Sequence, residues 1–217
     1  MNAMILAAGR GERLRPITNT LPKAMVEVRG EKLIDRHLHM LARGGIETVV
    51  INLGWLGEQI ADHVGSGEQY GIQVVYSPEY DFVLETGGGI VRALPMLGKD
   101  SFWVINADIY TDFEIPDTAL AESLDVELVL VDTPAHKIKG DFDLQVGKIV
   151  NGPNRPLTYS GIARYRASFF AGIEVERFSV VPMLRNAAEA GQLGGTHHTG
   201  LWHDVGSPER LEALNHA

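Results

Sequence analysis

A loop rich in glycine and arginine lies near the N-terminus, directly after a short apolar segment. Residues 6–16 read LAAGRGERLRP. Glycines and small residues let the backbone approach a ligand closely, and a run of inward-turned amides binds anions. Arg13 could hold phosphate oxygens through two parallel hydrogen bonds, and Lys23 would add a compact positive charge. These residue types predict a site for an anion.

Three interpretations of this loop compete. It could be a structural turn that happens to contain glycines, because Gly9-x-Gly11 alone is a weak signal. A dinucleotide-binding turn needs a third glycine where Arg13 stands, and an acid where Asn52 ends the second strand. A Walker loop needs Gly-Lys followed by Ser or Thr, which this loop lacks. A triphosphate held by backbone amides, Arg13 and Lys23 agrees best with the residues present.

Two aspartates are candidates for a metal site. Asp108 follows the apolar residues 102–106, so we expect it at the carboxyl edge of a sheet, where α/β proteins bind ligands. Asp204 stands in a second strand-to-turn context, within residues 202–206. Mg²⁺ prefers one or two carboxylates, together with phosphate oxygens and water. The alternative is that each aspartate caps a turn, which is the commoner role of an isolated aspartate.

The elements that must position these residues alternate between strand and helix along the first half of the chain. We predict strands over residues 4–8, 48–52, 72–76 and 102–106, and helices over 33–42, 56–64 and 88–97. This alternation predicts a Rossmann-like α/β fold, doubly wound around a mainly parallel sheet. After residues 126–131, short strands over 142–150 and 159–165 predict a small antiparallel, sugar-binding lobe. Helices over 178–190 and 208–214 would close a single domain, residues 1–217.

Composition excludes several classes of protein. The chain has 217 residues, no cysteine and a formal net charge of -9. Disulfides and thiolate metal sites are therefore impossible, and a general nucleic-acid-binding surface is not expected. The N-terminal apolar run is too short for a signal peptide, and no stretch approaches the roughly 18 apolar residues of a membrane span. We expect a cytoplasmic protein with no membrane partner.

The loop motif L-A-A-G-x-G-x-R-L-x-P, followed by L-P-K at residues 21–23, resembles the signature of the sugar-1-phosphate nucleotidyltransferases. Later landmarks of that family follow in order along nearly the whole chain: LETGG at 84–88, NAD at 106–108, YSGI at 159–162 and WHDVG at 202–206. The resemblance implies the nucleotide-diphospho-sugar transferase type of α/β fold. It also implies Mg²⁺ as the cofactor, with Asp108 and Asp204 as its ligands.

The resemblance further implies a reaction, in which a uridylyl group passes from UTP to a sugar-1-phosphate and pyrophosphate leaves. The short chain and the run at residues 84–90 are most similar to members that use N-acetylmuramate α-1-phosphate, in peptidoglycan recycling. Lys23 would stabilise the α-phosphate, and Arg13 the departing pyrophosphate. The expected nucleotide-binding residues are Ala7, Ala8, Gly9, Gly11, Arg13, Lys23, Glu85, Thr86, Gly87 and Asn106. The expected sugar-binding residues are Gly140, Asp141, Asp143 and Asn151.

Other functions stay open at this point. Guanylyl transfer to heptose-1-phosphate and cytidylyl transfer to phosphocholine belong to the same family. A nucleotide-binding module without catalysis is the alternative from another class, and it would not need Asp108 and Asp204 together. Many members carry Glu-Lys-Pro where residues 151–156 read NGPNRP, and that lysine holds the sugar phosphate. Arg155 either replaces it or lies on the surface, in which case Lys23 serves both phosphates.

Overall fold

The structure is a computed structural model of the chain and describes residues 1–80 and 83–216. Its first half alternates strands and helices, as predicted. In chain order the elements are β1 (Asn2–Leu6), β2 (Glu27–Val28), β3 (Glu31–Lys32), α1 (Leu33–Arg43), β4 (Thr48–Leu53), α2 (Gly57–Val64), β5 (Gln73–Pro78), α3 (Glu85–Leu97) and β6 (Ser101–Asn106).

The second half contains more strands than helices. Its elements are β7 (Ile109–Thr111), β8 (Val126–Asp132), β9 (Asp143–Gln145), β10 (Lys148–Val150), β11 (Leu157–Arg166), α4 (Val181–Glu189), β12 (Leu193–His197), β13 (Trp202–Asp204) and α5 (Pro208–His216). None of the helices in the two described ranges is long and apolar enough to cross a bilayer.

Within the described residues the main sheet has nine strands in the order β5-β4-β1-β6-β11-β8-β12-β10-β9. Seven of them run in one direction, whereas β10 and β11 run in the other. The predicted mainly parallel α/β fold is therefore confirmed. The antiparallel strands of the second half extend this same sheet, and β7 pairs with β13 in a separate small antiparallel ribbon.

Neighbouring residues of β1 pack into two different hydrophobic clusters, one on each face of the sheet. Ala3 and Ile5 belong to the cluster that contains residues of α1 and α2. Met4 belongs to the cluster that contains residues of α3. All three are fully buried, because successive side chains of a strand point to opposite faces and helices cover both. This two-sided burial fits the position of β1 in the interior of the sheet, between β4 and β6, and the loop after it lies at the carboxyl edge.

Helix α3 begins at Glu85, three residues before the predicted start, and therefore contains consecutive glycines. A Cβ atom at Gly87 would lie 2.2 Å from the Phe178 ring, and one at Gly88 would lie 2.0 Å from the Glu176 carbonyl oxygen. Glycine costs a helix roughly 1 kcal/mol relative to alanine, but only glycine permits this approach. The first turn of α3 is consequently held against the segment that precedes α4.

Candidate functional site

A cavity of about 470 Å³ opens at the carboxyl ends of β1, β4 and β6. Its lining comprises residues 6–9, 11–13, 23–24, 52, 79, 83, 85–86 and 106–108. The carboxyl edge is where open α/β sheets bind ligands, and this volume lies within the range of small-molecule sites. The predicted residues that line it are Ala7, Ala8, Gly9, Gly11, Arg13, Lys23, Glu85, Thr86, Asn106 and Asp108.

The loop after β1 is shaped by Gly11. Its φ of 61° lies in the left-handed region, and its carbonyl oxygen accepts hydrogen bonds from the Leu14 amide at 2.9 Å and from Thr18 Oγ1 at 2.8 Å. Leu14 is fully buried, whereas Arg13 beside it is exposed. The Leu14 side chain thus anchors the loop, while the Arg13 guanidinium stays available at the cavity.

Lys23 and Asp108 form an ion pair in the cavity. Lys23 Nζ lies 2.6 Å from Asp108 Oδ2, and the two side chains are 14% and 30% exposed. Lys23 begins a short 3₁₀ helix, whereas Asp108 stands two residues after the end of β6. The fold therefore brings together the predicted phosphate-binding lysine and one predicted metal ligand, although 85 residues separate them in the chain.

Asp204 reaches the same region by strand pairing. Strand β13 is antiparallel to β7, with Asp204 opposite Ile109, and the Val205 amide donates to the Asp108 carbonyl oxygen at 2.8 Å. The Asp204 carboxylate accepts a hydrogen bond from Arg210. It lines a neighbouring cavity of about 340 Å³ rather than the first one. The two aspartates are thus joined through their backbones while their carboxylates face different cavities.

The two predicted metal ligands are carboxylates, the donor type that hard divalent cations prefer. The described residues contain no group of three or more histidine, cysteine or acidic side chains that could hold a metal ion. Asp108 and Asp204 offer one carboxylate each, from adjacent strand ends, and each is paired with a protein cation. One or two carboxylates, completed by ligand phosphates and water, are what Mg²⁺ requires. Each aspartate therefore has the chemistry of a ligand for such a cation, although the two side chains line different cavities in this structure.

His37 lies in α1 and is almost completely buried. Burial lowers the pKa of this imidazole from 6.5 to about 4, although the nearby Asp108 carboxylate acts in the opposite direction. The ring is therefore neutral at physiological pH. The positive charge near Asp108 accordingly comes from Lys23, and not from this histidine.

The start of α3 contributes two of its three predicted contacts. Glu85 has a φ of 60°, and its carboxylate accepts from Arg177 at 2.9 Å. Thr86 Oγ1 accepts a hydrogen bond from the Val180 amide at 3.0 Å. Gly87 is absent from the lining within the described residues, and its amide donates to the carbonyl oxygen of Phe178 at 2.9 Å. The position of Gly87 therefore supports a packing role rather than direct contact with a nucleotide.

The predicted sugar contacts lie outside both cavities within the described chain: Gly140, Asp141, Asp143 and Asn151. Asp141 Oδ2 accepts from the Tyr159 amide at 3.0 Å, and Asn151 Nδ2 donates to the Arg185 carbonyl oxygen at 2.9 Å. Four strand spacings separate β6 from β10, the strand before Asn151, which amounts to about 19 Å. Direct sugar contact by Asn151 therefore stays a prediction. The Arg155 carbonyl accepts from the Gly140 amide at 2.9 Å, which ties that segment to the start of β11.

Asn52 and Glu79 are among the cavity-lining residues that the sequence-based prediction missed. Asn52, considered only as evidence against dinucleotide binding, accepts from the Ala7 amide at 2.7 Å through its side-chain oxygen. Its Nδ2 donates to Glu79 Oε1 at 2.8 Å, and Glu79 is only 2% exposed. A detectable signal existed, because polar residues at the ends of two successive apolar strands reach the same edge of a parallel sheet.

The Nucleotidyl transferase family profile matches residues 2–133, which is more than half of the chain. The chain belongs to this nucleotidyl transferase family. The match extends through β8, so it includes every residue that lines the larger cavity.

Two relatives that share one name match this nucleotidyl transferase along nearly the whole length of both chains. An N-acetylmuramate alpha-1-phosphate uridylyltransferase from Neisseria meningitidis serogroup B is 45% identical over 98% of this chain and 96% of the relative. Another from Caulobacter vibrioides is 35% identical over 95% of this chain and 92% of the relative. A solved structure from Bacillus anthracis, assigned as a glucose-1-phosphate thymidylyltransferase, superposes with a TM-score of 0.86. It covers 100% of this chain and 94% of that one at 19% identity, which shows a shared fold.

Proposed function

We propose that this nucleotidyl transferase transfers the uridylyl group of UTP to N-acetylmuramate α-1-phosphate and releases pyrophosphate. The observation that carries this proposal is the meeting of Lys23, Asp108 and the loop after β1 in one cavity at the carboxyl edge of the sheet. The choice of UTP and of this acceptor is supported by the two uridylyltransferases that match the chain along most of its length.

The triphosphate would lie along the loop after β1. Arg13 is exposed at the cavity and has the planar fork that suits phosphate oxygens, so it would hold the β- and γ-phosphates. Lys23 would bind the α-phosphate. The base would lie between Ala8–Gly9 and the first turn of α3, where Glu85 and Thr86 line the cavity.

In the proposed reaction, a phosphate oxygen of the acceptor attacks the α-phosphorus of UTP. A new P–O bond forms, the bond between the α-phosphorus and the bridging oxygen breaks, and that oxygen leaves with pyrophosphate. The attacking oxygen is already anionic, so no side chain has to remove a proton from it. The task of the chain is therefore to position two anions and to neutralise the charge that develops on them.

Asp108 and Asp204 would hold Mg²⁺ in this proposal. When bound, the metal would neutralise phosphate charge and orient phosphate oxygens. Asp204 also lines the second cavity with His136, His203 and Arg210, and this cavity adjoins the first through the backbone of Asp108. We infer that the acceptor enters from this side. A reaction that consumes UTP would take place in the cytoplasm, the location predicted from the sequence.

A pyrophosphate-release assay tests the proposal. Four nucleoside triphosphates are crossed with N-acetylmuramate α-1-phosphate, N-acetylglucosamine-1-phosphate, glucose-1-phosphate and heptose-1-phosphate, with acceptor-free reactions as controls for hydrolysis. We expect the highest rate with UTP and N-acetylmuramate α-1-phosphate, loss of activity with a chelator, and recovery with Mg²⁺. Preference for a purine triphosphate would refute uridylyl transfer, and no release from any pair would favour a non-catalytic nucleotide-binding module.

A further inference from the structure

A chain of three hydrogen bonds connects opposite walls of the larger cavity. The Ala7 amide donates to Asn52 Oδ1 at 2.7 Å, Asn52 Nδ2 donates to Glu79 Oε1 at 2.8 Å, and the Leu84 amide donates to Glu79 Oε2 at 3.0 Å. Ala7 begins the predicted phosphate loop, whereas Leu84 directly precedes α3. The two side chains therefore link the wall after β1 to the wall at the start of α3.

We call this chain of three hydrogen bonds, through the side chains of Asn52 and Glu79, the relay. The direction from donor to acceptor is fixed at both of its ends. The backbone amides of Ala7 and Leu84 can only donate, so the two side chains must present an acceptor at each end and one donor between them. Asn52 meets this need only with its oxygen towards Ala7 and its nitrogen towards Glu79. The two side-chain oxygens of Glu79 supply the remaining two acceptors. An asparagine next to a carboxylate thus satisfies all three hydrogen bonds.

Gly89 makes room for the relay. A Cβ atom at this position would lie 2.8 Å from Glu79 Oε1 and 3.1 Å from Asn52 Nδ2. Among the three consecutive glycines of α3, the relay occupies the space of the absent side chain only at Gly89. Gly87 and Gly88 pack instead against residues 176–178. A helix-weakening glycine here has a specific steric reason.

The position of the relay indicates more than a structural tie. Asn52 and Glu79 both line the cavity, and Glu79 is a carboxylate with 2% of its surface exposed. A buried charge is costly, and well-packed apolar residues often stabilise a fold at least as well. The carboxylate also lies on the β4–β5 side of β1, whereas Lys23 and Asp108 lie on the β6 side. The Glu79 carboxylate would repel the phosphates of the nucleotide, so that the uncharged base would lie on the β4–β5 side of the cavity.

We propose that Asn52 and Glu79 are positioning residues for the nucleotide, which set the distance between the phosphate loop and the first turn of α3. This inference rests on the proposed function, because it assumes that the cavity binds a nucleoside triphosphate. The two residues act through the backbones of Ala7 and Leu84. The relay therefore determines how well the walls fit the nucleotide, and it takes no part in the phosphoryl chemistry.

A polarity swap tests the relay. N52D alone places two carboxylates face to face, and E79Q alone leaves either the Leu84 amide or Asn52 Nδ2 facing another donor. In the double variant N52D/E79Q, the carboxylate at position 52 accepts from the Ala7 amide and from the side-chain nitrogen of the glutamine at position 79. The side-chain oxygen of that glutamine accepts from the Leu84 amide. All three hydrogen bonds are thus restored with unchanged side-chain shapes.

The four proteins are compared by calorimetric titration of UTP with Mg²⁺, by steady-state kinetics and by thermal unfolding. We expect the dissociation constant and KM for UTP to rise at least tenfold in N52D and about threefold to tenfold in E79Q. The double variant should return to within about threefold of the wild type, while KM for the acceptor stays within twofold throughout. G89A, which crowds the relay without changing its charges, should also raise KM for UTP severalfold.

A double variant that binds UTP no better than the worse single variant would overturn the inference. The inference would also be overturned if the single variants lowered only the unfolding temperature and left UTP binding unchanged. That result would show that the relay stabilises the fold without positioning the nucleotide. Binding of UTP by the wild type without turnover on any acceptor would refute the proposed function alone, since the binding comparison still tests the relay. No binding of any nucleoside triphosphate would refute both.

Discussion

Replacing Lys23 by methionine removes the ammonium that contacts Asp108 while keeping most of the apolar stem. In the structure this ammonium lies 2.6 Å from the Asp108 carboxylate and its side chain is 14% exposed. If Lys23 stabilises charge on the α-phosphate, K23M should reduce kcat by about 10²–10³, as removal of one preorganised donor commonly does. That reduction corresponds to roughly 3–4 kcal/mol of transition-state stabilisation.

The effect of K23M on stability should be much smaller. Asp108 is 30% exposed, so water can solvate its carboxylate after the change. A partly exposed ion pair contributes about 1 kcal/mol or less, which lowers the unfolding temperature of a chain of this size by roughly 2–4 °C. The protein should therefore be fully folded at 25 °C, and the loss of turnover can be assigned to the site.

The assay measures pyrophosphate release with both substrates at saturation, together with thermal unfolding. K99M is the matched control: Lys99 is exposed and precedes β6, at the opposite edge of the sheet from the cavity. We expect K99M to retain wild-type turnover. Turnover of K23M within about twofold of the wild type would refute the role of Lys23. A reduction explained by partial unfolding would equally remove the support for it.

Three further predictions concern other parts of the molecule. G87A should destabilise the fold by about 1–3 kcal/mol in urea unfolding, because its methyl group would meet the Phe178 ring, whereas G9A, with no atom within 4 Å of the added methyl, should not. Because burial lowers the pKa of His37 to about 4, its contribution to stability is present above pH 6.5 and is lost as the pH falls towards 4. Between pH 7 and pH 4.5, the free energy of unfolding measured in urea should therefore fall by roughly 2–3 kcal/mol more in the wild type than in H37L. R210M should raise KM for the sugar-1-phosphate at least tenfold and KM for UTP less than threefold in steady-state kinetics; the reverse split would contradict entry of the acceptor beside Asp204.

The doubly wound first half could be predicted because each central strand is apolar on both faces. Such strands need helices on both sides, so the alternation of elements nearly dictates the layers. Boundaries shifted where a tertiary contact decides them. A helix was predicted from residue 178, but α4 begins at Val181, since the Phe178 amide donates to the Leu84 carbonyl and its carbonyl accepts from the Gly87 amide. No local pattern around residue 178 reveals that competing partner.

The meeting of Gly9, Gly11, Arg13 and Lys23 in one cavity could be predicted because these residues belong to one local motif. The positions of Asn52 and Glu79 at the ends of two strands predict only that both reach this edge of the sheet. Their hydrogen bonds could not be predicted, because the partners are separated by 45 residues (Ala7 and Asn52) and 27 residues (Asn52 and Glu79) and meet only in the folded sheet. The predicted sugar contacts line neither cavity in the described chain and stay a prediction. The order of segments along the chain does not reveal that three other strands lie between β6 and β10.

The two ion pairs would let a chain of net charge -9 keep the proposed site for anions. Lys23 neutralises Asp108, and Arg210 neutralises Asp204, so neither carboxylate presents an unopposed negative charge to an approaching phosphate. A phosphate that takes over either cation leaves the aspartate available for a divalent metal, and a metal on the aspartate frees the cation for phosphate. Each exchange keeps the local charge nearly balanced. Metal and substrate phosphates should therefore strengthen each other's binding, and the protein without substrate should have only a weak metal site.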